Sequence, residues 1–121
     1  GGFEAGDTVS VRLFWRAEAA IERDYTVFVH LVGPDGELVA QRDQQPLAGF
    51  FPTSYWWPGR VIADEYEVVL PGGAAAGNYE LRAGMYNLTT GERLSVTVAG
   101  QPSADFAVIG TLQVGAGTKG S

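Results

Sequence analysis

His30 is the sole histidine of the 121-residue chain, and the chain has no cysteine. A nucleophilic triad would need that histidine beside an activated serine, yet no Gly-x-Ser-x-Gly elbow is present. Zinc asks for more nitrogen or sulfur ligands than one histidine supplies. His30 instead alternates with Phe28 and Val32 along an apolar run, and reads as a hydrogen-bonded structural side chain. Glycoside hydrolysis needs two carboxyl groups. Asp43, Asp64 and Glu65 flank the aromatic middle of the chain, so such a pair is arithmetically available. Acids beside turns are usually solvated, however, and Asp64 equally suits an ion pair with Arg60 or Arg42. Asp35-Gly36-Glu37 is short of the oxygen ligands that calcium takes, although an incidental ion among loop carboxylates stays open. The expectation is therefore a protein with no catalytic residues, no metal centre and no cofactor.

Residues 44–60 offer chemistry of another kind. Gln44-Gln45-Pro46 opens this long irregular stretch and Trp57-Pro58-Gly59 closes it, with Phe50, Phe51, Tyr55, Trp56 and Trp57 between. A loop of this length inside a small domain is usually functional or specially packed. Apolar sugar faces stack on aromatic rings while nearby polar groups bond the hydroxyls. Tyr55, Trp56 and Trp57, with Arg60, Gln44 and Gln45, are the candidate ligand-binding residues on that reading. The structural alternative is equally concrete: a loop crossing the end of a β domain must seal its core, and Phe50, Phe51 and Trp56 could do so. Trp56 is expected inside and Trp57 outside.

The elements that would position this loop follow from alternation. Val9, Val11, Leu13 and Trp15 fall on one face of residues 8–16, with Ser10, Arg12, Phe14 and Arg16 on the other. Residues 17–23 are too few for a stable helix and read as a connection with Ile21 turned inward. Residues 25–32 are apolar on both faces, which predicts a central strand. Gly33-Pro34-Asp35-Gly36 is a strong turn into a return arm, Leu38–Asp43. Alternation resumes over 61–70, where Ile62, Tyr66, Val68 and Leu70 share a face with Asp64, and again over 78–86. Leu88–Glu92 reads as a hairpin turn, Arg93–Val98 as its return arm and Phe106–Val114 as the last strand. About seven evenly spaced strands with no convincing helix predict an all-β fold, an antiparallel immunoglobulin-like (fibronectin III-like) β-sandwich. Length suits one domain, with its core over residues 5–114. Residues 1–4 and 115–121 are expected to be flexible, as edges of an excised domain.

Acidic residues outnumber basic ones by 14 to 8, for a formal net charge of −6. The only lysine, Lys119, lies in the tail, and no basic cluster offsets the field. A nucleic-acid backbone or anionic membrane surface would be repelled. No apolar run approaches the length of a membrane span, so this segment is not expected to insert in a membrane.

Four blocks together carry a family resemblance: Ala-Gly-Asp-Thr-Val-Ser-Val-Arg-Leu-Phe-Trp (5–15), Asp-Tyr-Thr-Val-Phe-Val-His-Leu-Val-Gly-Pro-Asp-Gly (24–36), Phe-Pro-Thr-Ser-Tyr-Trp-Trp-Pro-Gly (51–59) and Gly-Met-Tyr-Asn-Leu-Thr-Thr-Gly-Glu-Arg-Leu (84–94). The chain resembles, over residues 5–114, the soluble β-sandwich domain at the C-terminal end of bacterial multi-span membrane proteins, which themselves look like dolichyl-phosphate-mannose-type glycosyltransferases. Trp56 takes the place of the family tryptophan before Pro-Gly. Trp57 stands where a polar residue is more usual, and Arg60 where glutamate is more usual. The resemblance implies a non-catalytic accessory domain, extracytoplasmic, on the outer face of the membrane or secreted, within a larger membrane protein. Its partner would be an oligosaccharide or another region of the parent protein. The alternatives are a structural or protein-interaction domain that recruits partners by strand addition, and an enzyme fragment. A monomer is expected.

Overall fold

The alternation of residues 8–16 becomes strand β2 (Thr8–Arg16) in the computed structural model, which describes residues 2–99 and 101–115. Lys119 and the rest of the 116–121 tail lie outside the described residues. β2 pairs antiparallel with β5 (Val61–Val69) along its whole length, Thr8 opposite Val69 and Arg16 opposite Val61. These two strands form a sheet by themselves. Its inner face carries Val9, Val11, Ile62, Tyr66 and Val68, all buried, with Leu13 and Trp15 half-buried beside them. The Trp15 indole N–H donates to the Tyr66 hydroxyl at 3.1 Å, which satisfies both polar groups within the apolar layer. Burial pushes the Tyr66 phenol well above its ordinary pKa; the Trp15 hydrogen bond works against this, and the Asp64 carboxylate adds to it.

The second sheet contains β1 (Gly2–Phe3), β3 (Thr26–Val32), β4 (Leu38–Gln44), β6 (Gly77–Tyr86), β7 (Arg93–Leu94) and β8 (Ala107–Val114), in the spatial order β1-β8-β6-β3-β4 with β7 also on β6. As the two-sided apolar pattern predicts, β3 lies inside the sheet, antiparallel to both β4 and β6. Val27, Val29 and Leu31 are fully buried against the two-stranded layer, in one core cluster that draws on both sheets. The other face of β3 is also covered. Phe28 is 1% exposed, and its ring lies on the backbone of β6, where a side-chain carbon at Gly84 would come within 2.5 Å of it. The Arg93 guanidinium sits 4.6 Å from the Phe28 ring centre and pairs with Asp105 at 3.7 Å.

The architecture is thus all-β, in two layers. Three expectations need correction. The return arm at 93–98 is a strand only at Arg93–Leu94, after which a single bridge joins Val96 to Ala104. Pairing is not wholly antiparallel, because β1 runs parallel to β8. Residues 2–3, expected to be loose, are that β1 strand, and Phe3 packs on the core. The 17–23 connection forms no helix, and Ile21 packs against the core as expected. No helix among the described residues is long and apolar enough to cross a membrane.

One end of the two layers is closed tightly. The 33–37 turn is shut by bonds from Gly33 N–H to Glu37 C=O (2.8 Å) and Gly36 N–H to Gly33 C=O (2.9 Å). Pro34 packs so closely on Gly77, which has φ +142°, that a Cβ there would fall 2.6 Å from the proline ring. The Tyr79 hydroxyl donates to Ala75 C=O at 2.6 Å and fixes the neighbouring loop.

Candidate functional site

The aromatic stretch lies at the opposite end, as the connection from β4 to β5. Its first turn, Pro46–Gly49, is held in an uncommon conformation: Leu47 (φ 51°), Ala48 (φ 54°) and Gly49 (φ 90°) are all left-handed. Non-glycine residues adopt that region at a cost and persist there only when neighbours hold them. The holder is Asp64, 7% exposed on the inner face of β5. Its carboxylate accepts the Leu47 N–H at 2.7 Å and the Glu65 N–H at 2.8 Å. The ion pair foreseen with Arg60 or Arg42 does not form: Arg42 donates to Gln44, and Arg60 lies over Trp57.

The rest of the loop is tied to the connection between β2 and β3. Thr53 is completely buried. Its hydroxyl accepts the Tyr25 N–H at 3.0 Å and donates to Arg23 C=O at 2.7 Å. Ser54 N–H donates to Asp24 (3.1 Å) and Gly59 N–H to Ala17 C=O (2.8 Å). Trp56, 4% exposed, points into the core and donates its indole N–H to Phe51 C=O at 2.8 Å. Phe51 is half-buried. Phe50 is 88% exposed, so it seals nothing, contrary to expectation; the left-handed turn before it carries its side chain outward.

The six candidate ligand residues are therefore divided. Tyr55 and Trp57, each 67% exposed, and Arg60, which stacks at 5.4 Å over the Trp57 ring, stand together on the anchored half of the loop. Trp56 is behind them, its ring spent on the core. Gln44 is at the other foot of the loop, where its amide donates to Glu65 C=O at 3.2 Å and accepts from Arg42. Gln45 is exposed beside the Pro46–Gly49 turn. What this arrangement can do is present one indole and one phenol to solvent on a backbone held by hydrogen bonds at both feet, with a guanidinium on one side of the indole.

Sequence reasoning missed a cleft of about 760 Å³ beside this surface. Its floor is Trp15, Tyr25, Trp56 and Met85; its walls are the 16–23 connection and residues 94–97. Both indole N–H groups are already bonded internally, so they offer the cleft only ring surface, while Arg16, Glu18, Glu22 and Arg23 also line it. The available signal was the placing of Trp15 and Tyr25 on either side of a connection too short to form a helix.

Away from the loop, a recess of about 260 Å³ on the outer face of the larger sheet holds Phe28, His30, Gln41, Asp43, Tyr86 and Arg93. His30 packs on Phe28 with ring centres 4.5 Å apart, and Tyr86 donates to Asp43 at 2.8 Å. Burial lowers the pKa of His30; nearby Asp43 opposes this, while Arg93 and Arg82 reinforce it. Asp43 and Asp64 belong to separate hydrogen-bond networks on different sheets. No group of three or more His, Cys, Asp or Glu side chains suited to a metal ion occurs among the described residues. Comparison with known protein families and with characterised proteins finds no match for the chain.

Proposed function

We propose that this is a non-catalytic accessory domain that binds carbohydrate through Tyr55 and Trp57, with Arg60 bonding ligand hydroxyls or a carboxylate. The observation that carries the reading is the pair of exposed rings on a loop whose backbone is pinned at Asp64, Thr53 and Gly59. Exposed aromatic side chains on a restrained loop lose little entropy on binding, and sugars offer the apolar ring faces that such side chains stack on. Gln45 contributes from the first foot of the loop, whereas Trp56 and Gln44 act through the scaffold.

On this reading the two layers are an immunoglobulin-like, fibronectin III-like sandwich. The domain works as a monomer on the extracytoplasmic side of a bacterial membrane, attached to a parent resembling dolichyl-phosphate-mannose-type glycosyltransferases. The resemblance of residues 5–114 to that family is the support for this context.

The test is tryptophan fluorescence and calorimetry of the domain against a panel of neutral and acidic oligosaccharides, with Trp57→Ala in parallel. A saturable response that the variant loses is the expected result. A flat response from the parent protein across the panel overturns the sugar reading.

A further inference from the structure

β2 and β5 form a sheet of only two strands, and their outer edges differ. The edge of β5 is met by β4 and by the loop, through Gln44 on Glu65 C=O and Asp64 on Leu47 N–H. On the far side of β2 no strand pairs among the described residues. The alternation of that edge is set by the bond from Leu70 N–H to Asp7 C=O, which continues the β2–β5 register. In an antiparallel ladder, residues alternate between bonding their partner and facing away. Asp7 faces β5, so Val9, Val11, Leu13 and Trp15 do too. The N–H and C=O groups of Ser10, Arg12, Phe14 and Arg16 then point to the open edge, and none makes a backbone bond outside the ladder among the described residues.

Proteins usually blunt such an edge with a short strand, a proline, a bulge or a cover. β2 has nine residues, a continuous register and no proline. Its C-terminal half borders the 760 Å³ cleft, across which residues 94–97 form the far wall, so there is room beside the strand. The side chains specify what would fit. The inward row of β2 is apolar and borders the core. The outward row places Arg12 and Arg16 on either side of Phe14, 66% exposed, in a protein whose net charge is −6. Among the described residues, only Arg12 of these two arginines has an ion-pair partner, an exposed contact with Glu65 at 3.4 Å.

We propose that β2 is a docking edge for an extended peptide segment of a partner protein, apolar on its inward side and acidic on its outward side. The segment adds as a third strand: its backbone bonds Ser10 to Arg16, its apolar side chains enter the cleft, and its carboxylates face Arg12 and Arg16. This site is separate from the Tyr55–Trp57 surface and stands or falls independently of it.

The probe is a capped nine-residue peptide alternating valine with glutamate, compared with one alternating valine with lysine. Calorimetry and amide exchange of the whole chain are the readouts. The glutamate peptide is expected to bind and to slow exchange at Ser10, Arg12, Phe14 and Arg16, and the lysine peptide to bind about tenfold more weakly, because like charges then face each other across the pair. Phe14→Pro removes an outward N–H that no intramolecular bond uses, so the fold survives and peptide binding is lost. Arg12→Glu, which leaves the backbone untouched, reverses the preference between the two peptides. Equal binding by Phe14→Pro, protection elsewhere in the chain, or no binding of either peptide overturns the proposal. Concentration-dependent self-association through β2 without peptide binding also overturns it, in favour of a second copy.

Discussion

The two ends of this molecule solve the same problem in opposite ways. At the end formed by residues 33–37 and 70–77, short connections close on themselves. Pro34 sits against Gly77, Tyr79 bonds Ala75, and the one large apolar side chain of these connections, Leu70, is buried. At the other end, residues 45–60 form a long connection that sends Trp56 inward and Phe50, Tyr55 and Trp57 outward. The first end is held by the hydrogen bonds of its own short turns and by the steric fit of Pro34 on Gly77. The second is held by polar clamps, Asp64 on Leu47 and Thr53 on Tyr25 and Arg23, that fix a backbone with no ladder of its own. The difference teaches that a loop can be well anchored and still present aromatic surface, provided that its hydrogen bonds are made by buried side chains. Exposure at that end is thus not a sign of looseness.

The comparison can be tested from its strongest point downward. Trp56→Ala removes the most deeply buried aromatic ring by which the open end joins the core, and should cost about 3–5 kcal/mol in chemical denaturation. A small loss would mean that the polar clamps alone carry the loop. Gly77→Val drives a branched side chain into Pro34 at the closed end and should cost about 1–3 kcal/mol. Its effect on amide exchange should stay at residues 33–37 and 70–77; acceleration at 45–57 would show that the ends are coupled. Asp64→Ala leaves the part-buried Leu47 and Glu65 N–H groups without their acceptor, for about 1–3 kcal/mol, and should speed exchange over 47–51. Asp64→Asn keeps an acceptor and should lose less.

His30 lies between the ends, on the outer face of β3, and gives a pH signature. Its folded pKa is lowered below 6.5, so the unfolded chain binds the extra proton more readily. Stability is therefore full above the unfolded value and declines as pH falls below about 6.5 toward the lowered folded value. His30→Gln should flatten that slope in a series of denaturation midpoints. The smallest stability effect belongs to an exposed ring: Trp57→Ala should change stability by no more than about 0.5 kcal/mol. A larger loss would mean that the ring supports the loop rather than standing free for a ligand.

Much of this was legible in one dimension. Period-two alternation over 8–16 and 61–70 identified which side chains face the core, down to Asp64 sharing a face with Tyr66, because side-chain direction in a strand is a local property of the backbone. The expected split between Trp56 and Trp57 rested instead on the family resemblance, in which Trp57 stands where a polar residue is more usual, and Trp56 is indeed buried and Trp57 exposed. The site was legible only in part. Residue type picked out Tyr55, Trp57 and Arg60, which stand exposed, but Trp56 and Gln44 were grouped with them by proximity in sequence, which says nothing about what each side chain already bonds. Phe50 was placed wrongly since a left-handed turn of leucine and alanine has no signature in residue type.

What the sequence alone determined, then, is the six longer strands, the inward faces of β2 and β5, the strong turn at 33–36 and the polar balance of the surface. Each depends on neighbours a few residues apart. What only the tertiary structure decided is that β2 pairs with β5 across some fifty residues and leaves an edge open, that β1 runs parallel to β8, and that Asp64 holds the aromatic loop. These depend on which segments meet, and that is settled by burying both inner faces in one core rather than by any local preference.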